Sequence, residues 1–187
     1  TGTISCLHQC GYQVLVLEIA KPTAIRRSVA FSEAMYDGET EVEGIKARKI
    51  TQFSEAEACW QDGVIPIICD EKAEAVKAVP HFVFVDAAIA KKNLGTTIDM
   101  ADYVIGLGPG FTAGVDVDVV IETKRGHRLG RIIREGQAIA NTGIPGIIGG
   151  YGKERVIHSE NAGVFHGIAH IGDLVKKGDL IAKVDDA

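Results

Sequence analysis

No apolar run in this chain of 187 residues approaches the roughly 20 that a membrane-spanning helix needs; Val64 to Cys69 and Phe82 to Val85 are among the longest. No membrane association is expected. No basic block stands out either, and 20 Lys and Arg against 25 Asp and Glu leave a formal charge of -5, so a nucleic-acid partner is not expected. The four cysteines, Cys6, Cys10, Cys59 and Cys69, form no CxxC pair and no dense framework, which argues against a disulfide scaffold and for a reducing, cytoplasmic setting. Cys6 and Cys10 share a helical face, but the reading adopted is small apolar helix residues, and no metal site is expected. An initiator Met and a signal-like segment are also missing, and the chain reads as a fragment. What is present is an ordinary folding balance, 46% hydrophobic and 24% charged.

The front of the chain has α/β texture. Thr3 to Cys10 carries Ile4, Leu7 and two cysteines on one helical face, Gly11 stops it, and Gln13 to Glu18 reads as a buried parallel strand closing in an acid. Helix, glycine, apolar strand and acid match the second half of a mononucleotide-binding βαβ unit, with Gly2 as the tail of the glycine loop and Glu18 placed for a ribose. Pro22 and Thr23 predict a helix over 24–36, with Arg26 and Arg27 in its first turn as candidate anion ligands. A hairpin around Gly44 follows, then a helix to Gly63 begun by a capping box over Ser54-Glu55-Ala56-Glu57.

Val64 to Cys69, Phe82 to Asp86 and Tyr103 to Leu107 read as further buried strands, with a short helix over 71–79. Asp86 ends its strand just before Lys91-Lys92-Asn93, a polar concentration where open α/β sheets bind ligands. The Gly106 to Gly114 loop, with Gly108, Gly110 and Thr112, lets backbone approach a ligand but lacks the Lys-Ser/Thr ending of a P-loop. Beyond it, Val115 to Thr123 and Leu129 to Arg134 alternate as strands around a turn at Arg125-Gly126-His127. A turn-rich link including Pro145 leads to a strand over 155–158. His166 and His170, with His158, are read as solvent-facing or hydrogen-bonded, whereas His127 is a candidate for a role near the loop.

Gly163-Val164-Phe165 and the stretch from Ile171 to Val184 resemble the repeating half of biotinyl and lipoyl carrier domains, with Gly-Asp and Lys-Gly turns. No Met-Lys or Asp-Lys pair is present to carry a covalent arm. The expected fold is therefore α/β: a Rossmann-like parallel-sheet domain over 1–110, then a β-rich, barrel-sandwich-like domain over 111–187.

The strings from Lys21 to Arg27, from Ala90 to Gly95 and from Gly106 to Gly114, with Arg125-Gly126-His127 and the stretch from Asn141 to Gly146, run through nearly the whole chain. Together they resemble the accessory, or maturation, proteins of selenium-dependent molybdenum hydroxylases, which are similar to xanthine dehydrogenase accessory factors. That family has a strand and a Gly-Ala-Gly-type loop before the residues matching Thr1-Gly2, and it continues beyond the equivalent of Ala187. The resemblance implies handling of a molybdenum cofactor, as molybdopterin free or in a dinucleotide, on its way to a hydroxylase apoenzyme; self-association into a homo-oligomer is compatible with this.

Three functions follow. The first is a maturation factor binding a molybdenum cofactor or nucleotide in the cleft at the strand ends, through Gly2, Glu18, Arg26, Arg27, Lys91, Lys92, Asn93, Gly108, Gly110 and Thr112. The second is an NAD(P)-dependent oxidoreductase or cofactor-modifying transferase with Asp86 or His127 as acid/base group. The third is a non-catalytic module that docks a protein partner through the β-rich half.

Overall fold

The computed structural model describes residues 1–143 and 146–185, and the chain divides into two compact units, Thr1–Ala140 and Asn141–Ala187. The first unit is mixed α/β. It opens with helix α1 (Gly2–Gln9), and Gly11, at φ 87°, turns the chain into strand β1 (Val16–Glu18). The helix expected over 24–36 is replaced by single turns, 3-10 at Arg27–Val29 and Phe31–Glu33, then α2 (Ala34–Asp37). Ala30 between them is extended (φ -124°, ψ 123°), and the Phe31 amide donates to Thr1 Oγ1 at 3.2 Å instead of to a helical carbonyl. Burial does not force the break, since Ala30, Phe31, Ala34 and Met35 would share one helix face with Ile25 and Val29 opposite; the break lies in the backbone, extended at Ala30, and in the Phe31 amide's partner on Thr1.

Strands β2 (Glu39–Val42) and β3 (Ile45–Ile50) form the expected hairpin, with Glu43 and Gly44 both at positive φ as a tight two-residue turn requires. The following helix α3 (Ala56–Gln61) is entered through a 3-10 turn whose capping box pairs Gln52 with Glu55, two residues earlier than the sequence pattern placed it. Strand β4 (Ile65–Cys69) then inserts between β1 and β3, parallel to both, giving sheet order β1-β4-β3-β2. Phe31, Ala34, Met35, Ala47, Ile65 and Ile67 form one core beneath it, and Ile50, Ala56, Cys59, Val64 and Ile68 form another.

Helix α4 is shorter than expected, Ala75–Ala78, and Asp70 caps its approach by accepting from the Glu74 and Ala75 amides at 2.9 and 2.8 Å. Strands β5 (Val83–Asp86) and β6 (Tyr103–Leu107) then begin a second four-stranded sheet rather than extending the first. After the two-residue strand β7 (Thr112–Ala113), β8 (Val119–Ile121) joins β6 in parallel and β9 (Ile132–Ile133) closes the edge antiparallel, for an order of β5-β6-β8-β9. β10 (Gly136–Gln137) pairs with β7. Val104, Phe111, Val117 and Val120 are the centre of this core. The β6–β8 ladder spans the position between residues 110 and 111, where the sequence placed a domain boundary; the compact unit runs on to Ala140.

In the second unit, β11 (Val164–Gly167) and β12 (Ala182–Asp185) make one antiparallel pair, and no closed barrel exists among the described residues. The barrel expectation is thereby reduced to a hairpin-like pair with long turns. Those turns fall where Gly and Asp were read: the His170 and Lys176 amides donate to Asp173 and Asp179 at 2.7 Å, with Gly172 and Gly178 at positive φ. The strand expected over 155–158 is absent. A 3-10 turn at Lys153–Arg155 stands there, and Arg155 bonds the Tyr151 and Gly146 carbonyls instead of joining a ladder. Ile144 and Pro145, part of the link read from the sequence, lie outside the described residues. No helix among the described residues is long and apolar enough to cross a membrane.

Candidate functional site

The three parallel strands of the second sheet end side by side, and their C-terminal ends carry the polar groups. Asp86 closes β5 in register with Gly106 on β6. Its carboxylate accepts from Thr96 Oγ1 at 2.6 Å and from the Ala88 amide at 3.1 Å, and Thr96 is itself buried. Asn93 folds the same connection onto itself: Oδ1 accepts from the Gly95 and Thr96 amides and Nδ2 donates to the Thr96 carbonyl, all at 2.8 Å. Its amide is therefore committed to the turn. Lys91 sits at φ 64° beside it, and both Lys91 and Lys92 are exposed.

The glycine loop packs onto this connection. A Cβ at Gly110 would lie 2.8 Å from the Lys92 backbone, so only glycine allows the two segments to touch, and its φ of 122° points the same way. At Gly108 the neighbour is Thr123, whose Oγ1 a Cβ would meet at 2.5 Å. The sequence-predicted residues Asp86, Lys92, Gly108 and Gly110 are thus brought to one edge. Thr112 turns away into β7, where its hydroxyl accepts from Gln137 Nε2 at 2.8 Å and its amide donates to Asp116.

The other predicted residues belong to the first sheet. Glu18 ends β1, its carboxylate accepting from the Ile19 amide at 2.9 Å. Gly2 lines a shallow depression of about 370 Å³ with Ser5, Cys6, Gln9, Val42 and Glu43. No Lys or Arg side chain lines it. Arg27 is spent on a bidentate pair with Glu33 and lies 5.1 Å from the Tyr36 ring centroid. That hydrogen bonding raises the Arg27 pKa and lowers that of Glu33. Arg26 precedes the 3-10 turn and is exposed.

The sequence reading missed Glu122. It is 2% exposed, just after β8, and accepts from the Lys124 and Ile139 amides at 2.8 and 2.9 Å. Burial pushes its carboxyl up, but the amides of Ile139, Lys124 and Thr123 and the charge of Lys124 outweigh this and hold it below the usual value. A lone Glu in an alternating strand carries no signal of such a role. His127 lies in the turn beyond, lining a second depression of about 330 Å³ with Leu129, Gly130 and Arg131.

Among the described residues no cluster of His, Cys, Asp and Glu could hold a metal ion. His166 and His170 each face an aspartate instead, Asp185 at 3.1 Å and Asp173 at 3.6 Å.

No family model and no solved structure matches this chain. It is similar to an uncharacterized protein, YqeB, of Escherichia coli (strain K12), with 46% identity over 186 residues; the match covers 100% of this chain and 34% of that protein. The chain thus spans about a third of the length of the relative.

Proposed function

We propose that the chain is part of an accessory factor for a selenium-dependent molybdenum hydroxylase, and that it binds a molybdenum cofactor or its nucleotide form without turning it over. On this reading the first unit is a Rossmann-like binder whose working edge is the C-terminal edge of the second sheet. The observation carrying the reading is the seating of Gly110 on the Lys92 backbone beside Asp86, which joins a glycine turn, two lysines and a carboxylate. Open parallel sheets take ligands at that edge.

The donor set suits the organic, phosphate-bearing part of such a cofactor. Lys91 and Lys92 would meet phosphate, the glycine turn would permit close approach, and Asp86, held by Thr96, would face hydroxyl or amino groups. A hydroxylase apoenzyme would be the recipient.

One observation favours an NAD(P)-dependent oxidoreductase as second reading: Glu18 ends β1, the strand that follows α1, as a ribose-binding acid would. Calorimetric titration of the full-length protein with molybdopterin dinucleotides and with NAD(P) separates the two. The maturation reading expects binding of a molybdopterin species, lost in Lys92→Glu and unaccompanied by turnover. NAD(P) binding alone would transfer the assignment to the oxidoreductase, and binding of neither would remove both.

A further inference from the structure

The β8–β9 hairpin collects cations that a search for a contiguous basic block passes over. Lys124, Arg125, Arg128, Arg131 and Arg134 lie within eleven residues, interrupted by Gly126, His127, Leu129, Gly130 and two isoleucines. All five are exposed, and among the described residues none makes an ion pair or a side-chain hydrogen bond. This contrasts with Arg27 and Arg48, each held by a glutamate. Of the acids in this segment, Glu122 is turned inward onto amides and offsets Lys124, and Glu135, which follows Arg134, is exposed and in no ion pair among the described residues. In a chain of net charge -5, such a concentration of unpaired guanidinium groups creates a local positive field.

The hairpin is also fixed in shape. Gly130 donates to the Glu122 carbonyl at 2.8 Å and Glu122 to the Arg131 carbonyl at 2.9 Å, while Leu129 and Arg131 close turns onto Gly126 and Arg128. Its base touches the glycine loop: Gly108 donates to the Ile121 carbonyl at 2.9 Å and packs on Thr123, the residue before Lys124. At its tip, Arg131 and His127 border the depression of about 330 Å³.

We infer that this hairpin is a diphosphate-binding arm: His127, Arg128 and Arg131 take a pyrophosphate group of a small ligand, and Lys124 and Arg125 bridge to the glycine loop. Guanidinium forks bind phosphate oxygens in pairs, and two forks match the two or three negative charges of a diphosphate. A single hairpin on an acidic molecule offers no extended track for a nucleic-acid backbone. The inference names the charge of the ligand in the function proposed above and rests on that reading for the ligand's remainder.

The test is titration of the full-length protein with inorganic pyrophosphate and, separately, with a molybdopterin dinucleotide, at low and moderate salt. Arg128→Glu and Arg131→Glu are compared with Lys46→Glu, an equal charge change at an exposed position on β3, each checked for folding by circular dichroism. The hairpin variants should lose about tenfold or more in pyrophosphate affinity while Lys46→Glu retains most of it. Equal losses in all three, or no pyrophosphate binding by the unaltered protein, would overturn the inference. So would an oligonucleotide that outcompetes pyrophosphate with a steep salt dependence. Dinucleotide binding indifferent to the hairpin charges would sink the arm and spare the function; pyrophosphate binding through the hairpin without dinucleotide binding would do the reverse.

Discussion

The two four-stranded sheets are built on one plan and end differently. Each has three parallel strands and one antiparallel edge strand supplied by a hairpin, β2 in the first and β9 in the second. At its C-terminal edge the first presents Glu18, Asp70 and Glu71, with the exposed Lys21 and Lys72 in the same connections, while Arg26 is exposed and Arg27 is neutralised by Glu33. The second presents Asp86 amid glycine turns, two free lysines and a hairpin of unpaired arginines. The strands are interchangeable in kind; the connections give the two edges different polar groups.

The sharpest way to break this contrast is Gly110→Val. It places a branched side chain against the Lys92 backbone at a φ of 122°, and the strain and overpacking should cost about 2–5 kcal/mol. Thermal unfolding would read this, and the opposing result, a stable variant, would mean that the two connections are not in contact in solution. Glu122→Ala comes next. It leaves three amides without their acceptor near the base of the hairpin, at about 1–3 kcal/mol by denaturant titration. Because the folded carboxyl sits below its ordinary value of 4.5, its contribution is complete above that pH and fades as pH falls through the folded value; the alanine variant should lose this part of the acid sensitivity. Smallest is Arg27→Ala, which should leave anion binding unchanged in calorimetry because Glu33 already occupies the guanidinium. A clear loss there would erase the difference between the two edges.

The elements set by local chemistry were legible. Gly44 marked the hairpin, Gly11 the end of α1, and three apolar runs the strands β4, β5 and β6, since turn geometry and strand burial are written in adjacent residues. Which strands share a sheet was not legible: it depends on pairings such as Val16 with Ile67 and Val83 with Tyr103, far apart in sequence. The helix over 24–36 failed because the spacing of apolar residues does not reveal that the backbone is extended at Ala30 and that the Phe31 amide bonds Thr1, thirty residues away. Asp86, Lys92, Gly108 and Gly110 were singled out by their position at strand ends and lie at one edge of the second sheet, whereas the burial of Glu122 and the gathering of the scattered arginines needed three dimensions. The carrier-like turns of the second unit were visible, but its apolar residues, Phe165 and Leu174 among them, lie in solvent, so the motif did not guarantee a closed core.

The two glycine contacts also bear on motion. Gly110 rests on the connection between β5 and β6, and Gly108 rests on the exit from β8, so three excursions of the chain are clasped at points with no spare room. A crowded clasp of this sort opens all at once or not at all. The amides around Lys92, Gly108 and Thr123 should therefore exchange with deuterium as one cooperative unit, and a ligand that grips any one of the three would slow exchange in the other two.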